Sequence, residues 1–337
     1  MSLPYGKISP VLLSEIVFKS LGSKRKDVIL GPKKGEDAAI VKIGNQLLAV
    51  SCDPISGAVN RIGWLAVHVA SNDIASTGTR PLWFLPCILL PKGTSPKIIE
   101  DICTQMHRAA KTLDMAIIGG HTEISPGIDH PIIIGCAIGV IDHFKYVTSS
   151  GAKPKDVIIL TKSAGLEGSA ILATDRVKEI SSRFGEHFVK RVEGFFDEIS
   201  VLNEALTAIE IGGITSMHDP TEGGIAGGLH EVSDASKTGF RVYEEMIRVE
   251  PETKKITTLF QIDPLQLISS GSLLITCNPQ SSKKIIEAFR TKGIQSSIIG
   301  EVLEDSERRI IVREGGLAED LPYPESDALW TVLDKKI

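Results

Sequence analysis

Two stretches in the first half of the chain, PLWFLPCILL from Pro81 and PIIIGCAIGVI from Pro131, are apolar at almost every position. A strand with one face on a core and one in water alternates apolar and polar residues. Near-continuous β-branched runs therefore predict strands that are covered on both faces or that lie at an interface. The first run is also far shorter than the roughly 20 residues of a membrane-spanning helix, and it contains Pro86. No membrane span is expected.

Around these runs, strand-like and helix-like periods alternate. Ala38 to Asp53, AAIVKIGNQLLAVSCD, reads as a hairpin turning at Gly44-Asn45. A helix is expected from near Gly63 to Gly78, with Leu65, Val69 and Ala70 on its apolar stripe and a glycine at its end. Ser95 and Pro96 should cap the next helix, in which Ile98, Ile99, Ile102, Met106, Ala109, Ala110 and Leu113 recur at helical spacing. MAIIGG, from Met115, should be a strand.

Val147 to Asp156, rich in small residues with one proline, is the expected domain boundary. It divides the chain into domains of residues 1–150 and 151–337. The second half should hold strand VIILT, a helix near Glu167 to Ala173, a long helix ending near Ile211, and strand ITSM. Next come a glycine-rich turn, a helix carrying Ile225, Leu229 and Val232, a helix capped by Asn278 with Pro279, and strands through Val312. A chain of 337 residues suits two such domains, and the mixture makes the fold class α+β.

The net charge of −5 argues against nucleic-acid or anionic-membrane partners, which need clustered positive charge. The five cysteines include no C-x-x-C pair, so neither zinc nor a disulfide framework is signalled. They read as reduced, mostly buried thiols, Cys52 included. With no basic and apolar leader in view, a cytoplasmic protein is expected. His68, His107, His218 and His230 fall in or beside predicted helices and read as solvated or hydrogen-bonded.

Chemistry concentrates where strands or helices end beside glycine. There GEDAA carries Asp37, SCDPISG carries Asp53, ASNDIASTG carries Asn72 and Asp73, GGHTE carries His121 and Glu123, and HDPTEGG carries Asp219 and Glu222. Carboxylates of this kind suit Mg²⁺, a hard cation that takes oxygen ligands together with phosphate. Lys33 and Lys34 beside Gly35 complete what a metal–nucleotide site requires. Singly, each acid reads equally well as a turn or cap residue; five clusters together carry the inference. Asn72 and Asp73 could bond to nearby backbone, yet acids at a helix C-terminus are disfavoured unless something positive compensates. GGHTE is either a polar turn or a site in which His121 acts as acid–base group or phosphate contact. Gly223 and Gly224 precede a helix whose first N–H groups attract anions, unless Asp219 or Thr221 simply caps it. Neither a P-loop nor a dinucleotide-binding glycine pattern is present.

The five clusters, in this order, resemble the superfamily named for aminoimidazole ribonucleotide synthetase. It includes thiamin-monophosphate kinase, selenophosphate synthetase and the hydrogenase-maturation factor HypE. GEDAAIV, SCDPI, NDIASTGTRPLWF and GGHTE are similar to its successive motifs, while MHDPTEGGIAGGLHEVSDAS and IDPLQLISSGSLLIT most resemble HypE. The likeness runs from about Gly6 to about Val312. It implies an α+β, two-domain fold: an N-terminal β-rich domain that pairs in a homodimer, and a C-terminal α/β domain closing over a cleft that holds ATP and Mg²⁺. Asp37, Asp53, Asp73 and Glu123 would surround the metal. Lys33, Lys34, Gly35, Asn72, Gly119, Gly120, Thr122, Gly223 and Gly224 would lie on the nucleotide, with His121 and Asp219 at the chemistry. HypE proteins end in a cysteine that accepts a carbamoyl group; this sequence ends ALWTVLDKKI, and its first fifty residues hold no cysteine such as selenophosphate synthetase uses. The resemblance thus implies an ATP- and Mg²⁺-dependent enzyme that phosphorylates an oxygen of a small-molecule substrate and forms ADP. The alternatives are a kinase of the thiamin-monophosphate type and a non-catalytic nucleotide-binding maturation scaffold.

Overall fold

The computed structural model describes residue 3, residues 5–142 and residues 145–334. After a short helix α1 (Pro10–Glu15), the first half builds strands β1 (Val28–Leu30), β2 (Ala39–Ile43) and β3 (Gln46–Ile55). Helix α2 (Ile62–Ser76), β4 (Pro81–Leu90), α3 (Pro96–Thr112), β5 (Ala116–Ile117), β6 (His121–Ile124) and β7 (Ile132–Ile141) follow. These strands make one sheet in the order β1-β2-β3-β7-β4-β5, with β6 also pairing to β4.

The second half runs β8 (Val157–Thr161), α4 (Leu166–Asp175), α5 (Val177–Phe184), α6 (Glu186–Glu193), α7 (Leu202–Ile211) and β9 (Ile214–His218). It continues with α8 (Gly224–Ser236), β10 (Gly239–Tyr243), α9 (Pro251–Phe260), β11 (Leu274–Cys277), α10 (Pro279–Thr291), β12 (Ser296–Leu303), β13 (Arg309–Val312), β14 (Ala318–Asp320) and α11 (Ala328–Leu333). Its sheet is ordered β14-β13-β10-β12-β8-β11-β9.

The two apolar runs are β4 and β7, antiparallel neighbours with Phe84 opposite Ala137 and Leu85 opposite Cys136. Side-chain alternation buries Phe84, Ile88, Leu90, Ile133, Ala137 and Ile141 beneath α2 and α3. The alternate set, including Leu85, Leu89, Ile134 and Ile138, stays half-buried on the opposite face. Within one chain, then, these strands are covered on one face only, which leaves the interface alternative of the expectation.

Helix α2 is buried along almost its whole length. Its small residues Gly63, Ala66, Ala70 and Ala75 let the sheet, α3 and α7 approach from several sides, and one core runs from Phe84 and Ile133 through Ile74 to Ala205 and Ala208. The last turn of α2 therefore lies in the seam between the two halves.

Several local expectations are corrected. The long helix before Ile211 is three helices and a 3-10 turn, broken at Gly185, whose φ of +85° ends α5. Ser95 occupies its cap position without a side-chain bond, whereas Asn278 does accept from the Ser281 amide at 2.9 Å. His121 to Ile124 form a strand rather than a turn, and His218 ends strand β9. Only Cys277 is buried among the five cysteines, and Cys52 is exposed on the open face of β3. No disulfide joins them.

Candidate active site

Strand alternation on β3 sends Ser51 and Asp53 to one face and Cys52 to the other. The Ser51 hydroxyl is hydrogen-bonded to an Asp73 carboxyl oxygen and lies 3.2 Å from the Asp37 carbonyl. It thus ties the loop before β2 to the last turn of α2. From the second half, Asp219 follows directly on β9, and the Ser76 hydroxyl donates to its Oδ1 at 3.3 Å. One carboxylate oxygen each from Asp37, Asp73 and Asp219 lies within 4.8 Å of the others.

Three acids so close and so buried repel one another. Burial, then the charges of Asp53 and Asp219, hold the Asp73 carboxyl well above the usual carboxylate range. Burial and Asp37 do the same for Asp219, whose Oδ2 is buried with no partner among the described residues. A buried, orphaned carboxylate oxygen on one of three converging acids is what an oxygen-ligated divalent cation would satisfy, so the residues fit Mg²⁺.

The trio opens into a cavity of about 460 Å³ lined also by Lys7, Glu36, Asp53, Glu167, Glu222 and Trp330. Behind it lies a buried charge relay. His218 donates from Nδ1 to Asp37 at 2.7 Å and from Nε2 to Glu231 at 2.8 Å. Burial opposes a charged imidazole, but these two carboxylates outweigh it and hold its pKa well above the ordinary histidine value. Burial likewise opposes the Glu231 carboxylate, yet Lys7 and His218 bring its pKa down to about 2. The imidazolium fixes the direction in which Asp37 faces.

The expected site residues divide. Asp37, Asp53, Asp73 and Asp219 meet around one cavity. Asn72 does not: it is buried, its amide donates to the Ile199 carbonyl at 2.9 Å, and its Oδ1 accepts from the Val201 amide at 3.0 Å. It binds α2 to the second half. Lys34 pairs with Asp234 on α8, Gly35 packs against the Glu231 carbonyl, and neither Lys33 nor Lys34 lines the cavity. The Gly223 amide already donates to Asp327 at 2.7 Å, and that of Gly224 to the Thr221 carbonyl at 3.0 Å, so this helix start has its acceptors. No side chain caps α8.

The GGHTE segment lies away from the cavity. His121, Thr122 and Glu123 are exposed on β6, with His121 Nε2 and Glu123 Oε2 3.1 Å apart. Gly119 is exposed beside them. Gly120 has φ +140°, and a Cβ there would stand 2.3 Å from the Pro86 carbonyl. The close approach is to β4.

Two residues that the sequence did not single out belong here: Lys7 and His218. Lys7 is a lone lysine in an N-terminal stretch without periodicity. His218, by contrast, had a usable signal in its position directly before Asp219.

With the geometry in view, comparison with known proteins gives a consistent result. The AIR synthase related protein N-terminal domain matches residues 35–141, and the corresponding C-terminal domain matches residues 153–313. A protein named for hydrogenase expression and formation from Methanocaldococcus jannaschii is 27% identical over 315 residues, 91% of either chain. Carbamoyl dehydratase HypE of Rhizobium leguminosarum bv. viciae is 29% identical over 250 residues, 72% of this chain and 69% of that one. Among solved structures, HypE in complex with ATP is 22% identical with a TM-score of 0.73, covering 97% of this chain and 98% of that one. AaThiL complexed with AMPPCP and TMP is 18% identical with a TM-score of 0.72, covering 96% and 99%. These likenesses establish a shared fold.

Proposed function

The chain belongs to the AIR synthase related protein family, and on that premise we propose that it is an ATP- and Mg²⁺-dependent enzyme that phosphorylates an oxygen of a small-molecule substrate. The observation that carries this reading is the convergence of Asp37, Asp73 and Asp219 from three segments and both halves, with one oxygen left unpartnered. Two relatives' names add support: a HypE bound to ATP has this fold, and HypE relatives are carbamoyl dehydratases.

Asp37, Asp73 and Asp219 would hold the metal, with Asp53 at the margin of the set. Mg²⁺ would supply neutralisation of phosphate charge in a cavity otherwise rich in carboxylates. The chain's own part is positioning. Ser51 and Ser76 orient Asp73 and Asp219, and the His218 imidazolium orients Asp37. The acceptor oxygen attacks the γ-phosphorus, and the bond from that phosphorus to the β,γ-bridging oxygen breaks. ADP departs, and the acceptor's proton passes to a cavity carboxylate. Such phosphoryl transfer needs alignment and charge rather than a protein nucleophile, which agrees with the lack of a thiol or serine triad in the cavity lining.

The half-buried apolar face of β3, β7 and β4 supports pairing with a second copy of the chain, since Leu48, Val50, Leu85, Ile134 and Ile138 gather there. Phosphorus NMR of ATP incubated with the chain and Mg²⁺, alone and with candidate acceptors, tests the reaction. Chain-dependent ADP formation that Asp37→Asn removes is expected. ATP that binds but remains intact with every acceptor would favour the scaffold reading.

A further inference from the structure

Cations are scarce where the acids are dense. Seven carboxylate side chains line the cavity, from Glu36 to Glu222, and Lys7 is the one cationic side chain among its described lining residues. A triphosphate held through a metal still presents a terminal phosphate that a positive side chain must meet. The lysines of the GPKKGED loop do not supply it in this structure, because Lys34 is paired with Asp234 and neither loop lysine lines the cavity.

Lys7 is held differently. Its backbone amide donates to Glu222 Oε2 at 2.7 Å. Gly6, at φ +100°, passes so close that a Cβ would stand 2.5 Å from the same oxygen and 3.0 Å from Trp330 Nε1. Tyr5 packs its ring 6.1 Å from that of Trp330. The main chain is thereby seated across the cavity mouth. The ammonium, however, has a single contact at 3.4 Å, to Glu231, and the side chain remains 49% exposed. A fixed backbone with a loosely engaged charge suits a group that changes partner when a ligand arrives.

Resting on the reading of this cavity as a nucleotide site, we infer that Lys7 is the cation that binds the nucleotide's terminal phosphate. On binding, its ammonium would leave Glu231 for the phosphate, and Glu231 would keep the His218 imidazolium as its partner. Lys33 and Lys34 would stay outside the first layer of contacts.

The test uses the whole chain and acetylation by an amine-reactive reagent, mapped by peptide mass. Labelling is compared without nucleotide and with Mg²⁺ plus AMPPCP, a non-hydrolysable analogue, or AMP. Protection of Lys7 by AMPPCP but not by AMP is expected. In titrations, Lys7→Met should weaken Mg²⁺-ATP about tenfold or more, the loss of one charge-assisted contact, and weaken AMP far less. Lys7→Arg should restore part of the affinity, and unchanged thermal melting in both variants would separate this effect from misfolding. Nucleotide binding with equal labelling of Lys7, or with protection at Lys33 or Lys34 instead, would overturn the inference alone. Failure of the unmodified chain to bind any nucleotide would overturn both it and the functional reading.

Discussion

Asp73 occupies a position that disfavours its own charge, a cost that a bound cation would offset. Burial and the charges of Asp53, Asp219 and Asp37 all oppose its ionisation. Asp73→Asn should therefore leave the melting temperature of the ligand-free chain unchanged or higher, while Mg²⁺-dependent nucleotide binding is lost. Calorimetric melting beside titration reads both, and a drop of several degrees would make Asp73 a structural residue. Its neighbour Asn72 is predicted to behave in the opposite way. Asn72→Ala leaves the Ile199 carbonyl and the Val201 amide without their partner and should cost about 1–3 kcal/mol in denaturant unfolding. The acids were legible in the sequence because carboxylates beside glycine at element ends are conspicuous. Asn72 was not, since its partners lie 127 and 129 residues away. Lys7 was not either, because a lone lysine carries no pattern.

Three elements meet at Glu231: α8, which carries it; β9, which ends in His218; and the N-terminal segment bearing Lys7. Its folded pKa of about 2 lies below the ordinary value of 4.5. A depressed carboxylate pKa gives stability that is fully present above the unfolded value and is lost as pH falls through the folded one. The melting temperature should thus decline between pH 4.5 and 2, and Glu231→Gln should flatten that decline. Parallel curves for the two proteins would show that these contacts add nothing. Helix α3 could be read from sequence because it repeats its apolar spacing several times, α10 because Asn278 and Pro279 mark its start, and β4 because its apolar run is nearly unbroken. The stretch before Ile211 misled because α5, α6 and α7 each continue a helical period across the break at Gly185 and the 3-10 turn of Gly194–Glu198. In GGHTE the glycine answers to the Pro86 carbonyl, a tertiary contact that no local pattern encodes.

At the scale of the molecule, α2 joins the two sheets into one packed body and delivers Asp73 to the seam where Asp219 arrives. The two-part α+β architecture was legible from alternating periods and from the family motifs. The outer apolar face of β3, β7 and β4 is the part that a single chain leaves unexplained. Sedimentation velocity at micromolar concentration should give a dimer; a charged substitution there, such as Ile138→Glu, should shift it to monomer. A wild-type monomer would remove the proposed pairing. Calorimetric titration of the intact chain with ATP, with and without Mg²⁺, decides whether the carboxylate cavity is a metal–nucleotide site. Saturable binding that requires Mg²⁺ is the predicted result. Equal binding in both conditions, or none in either, would contradict it.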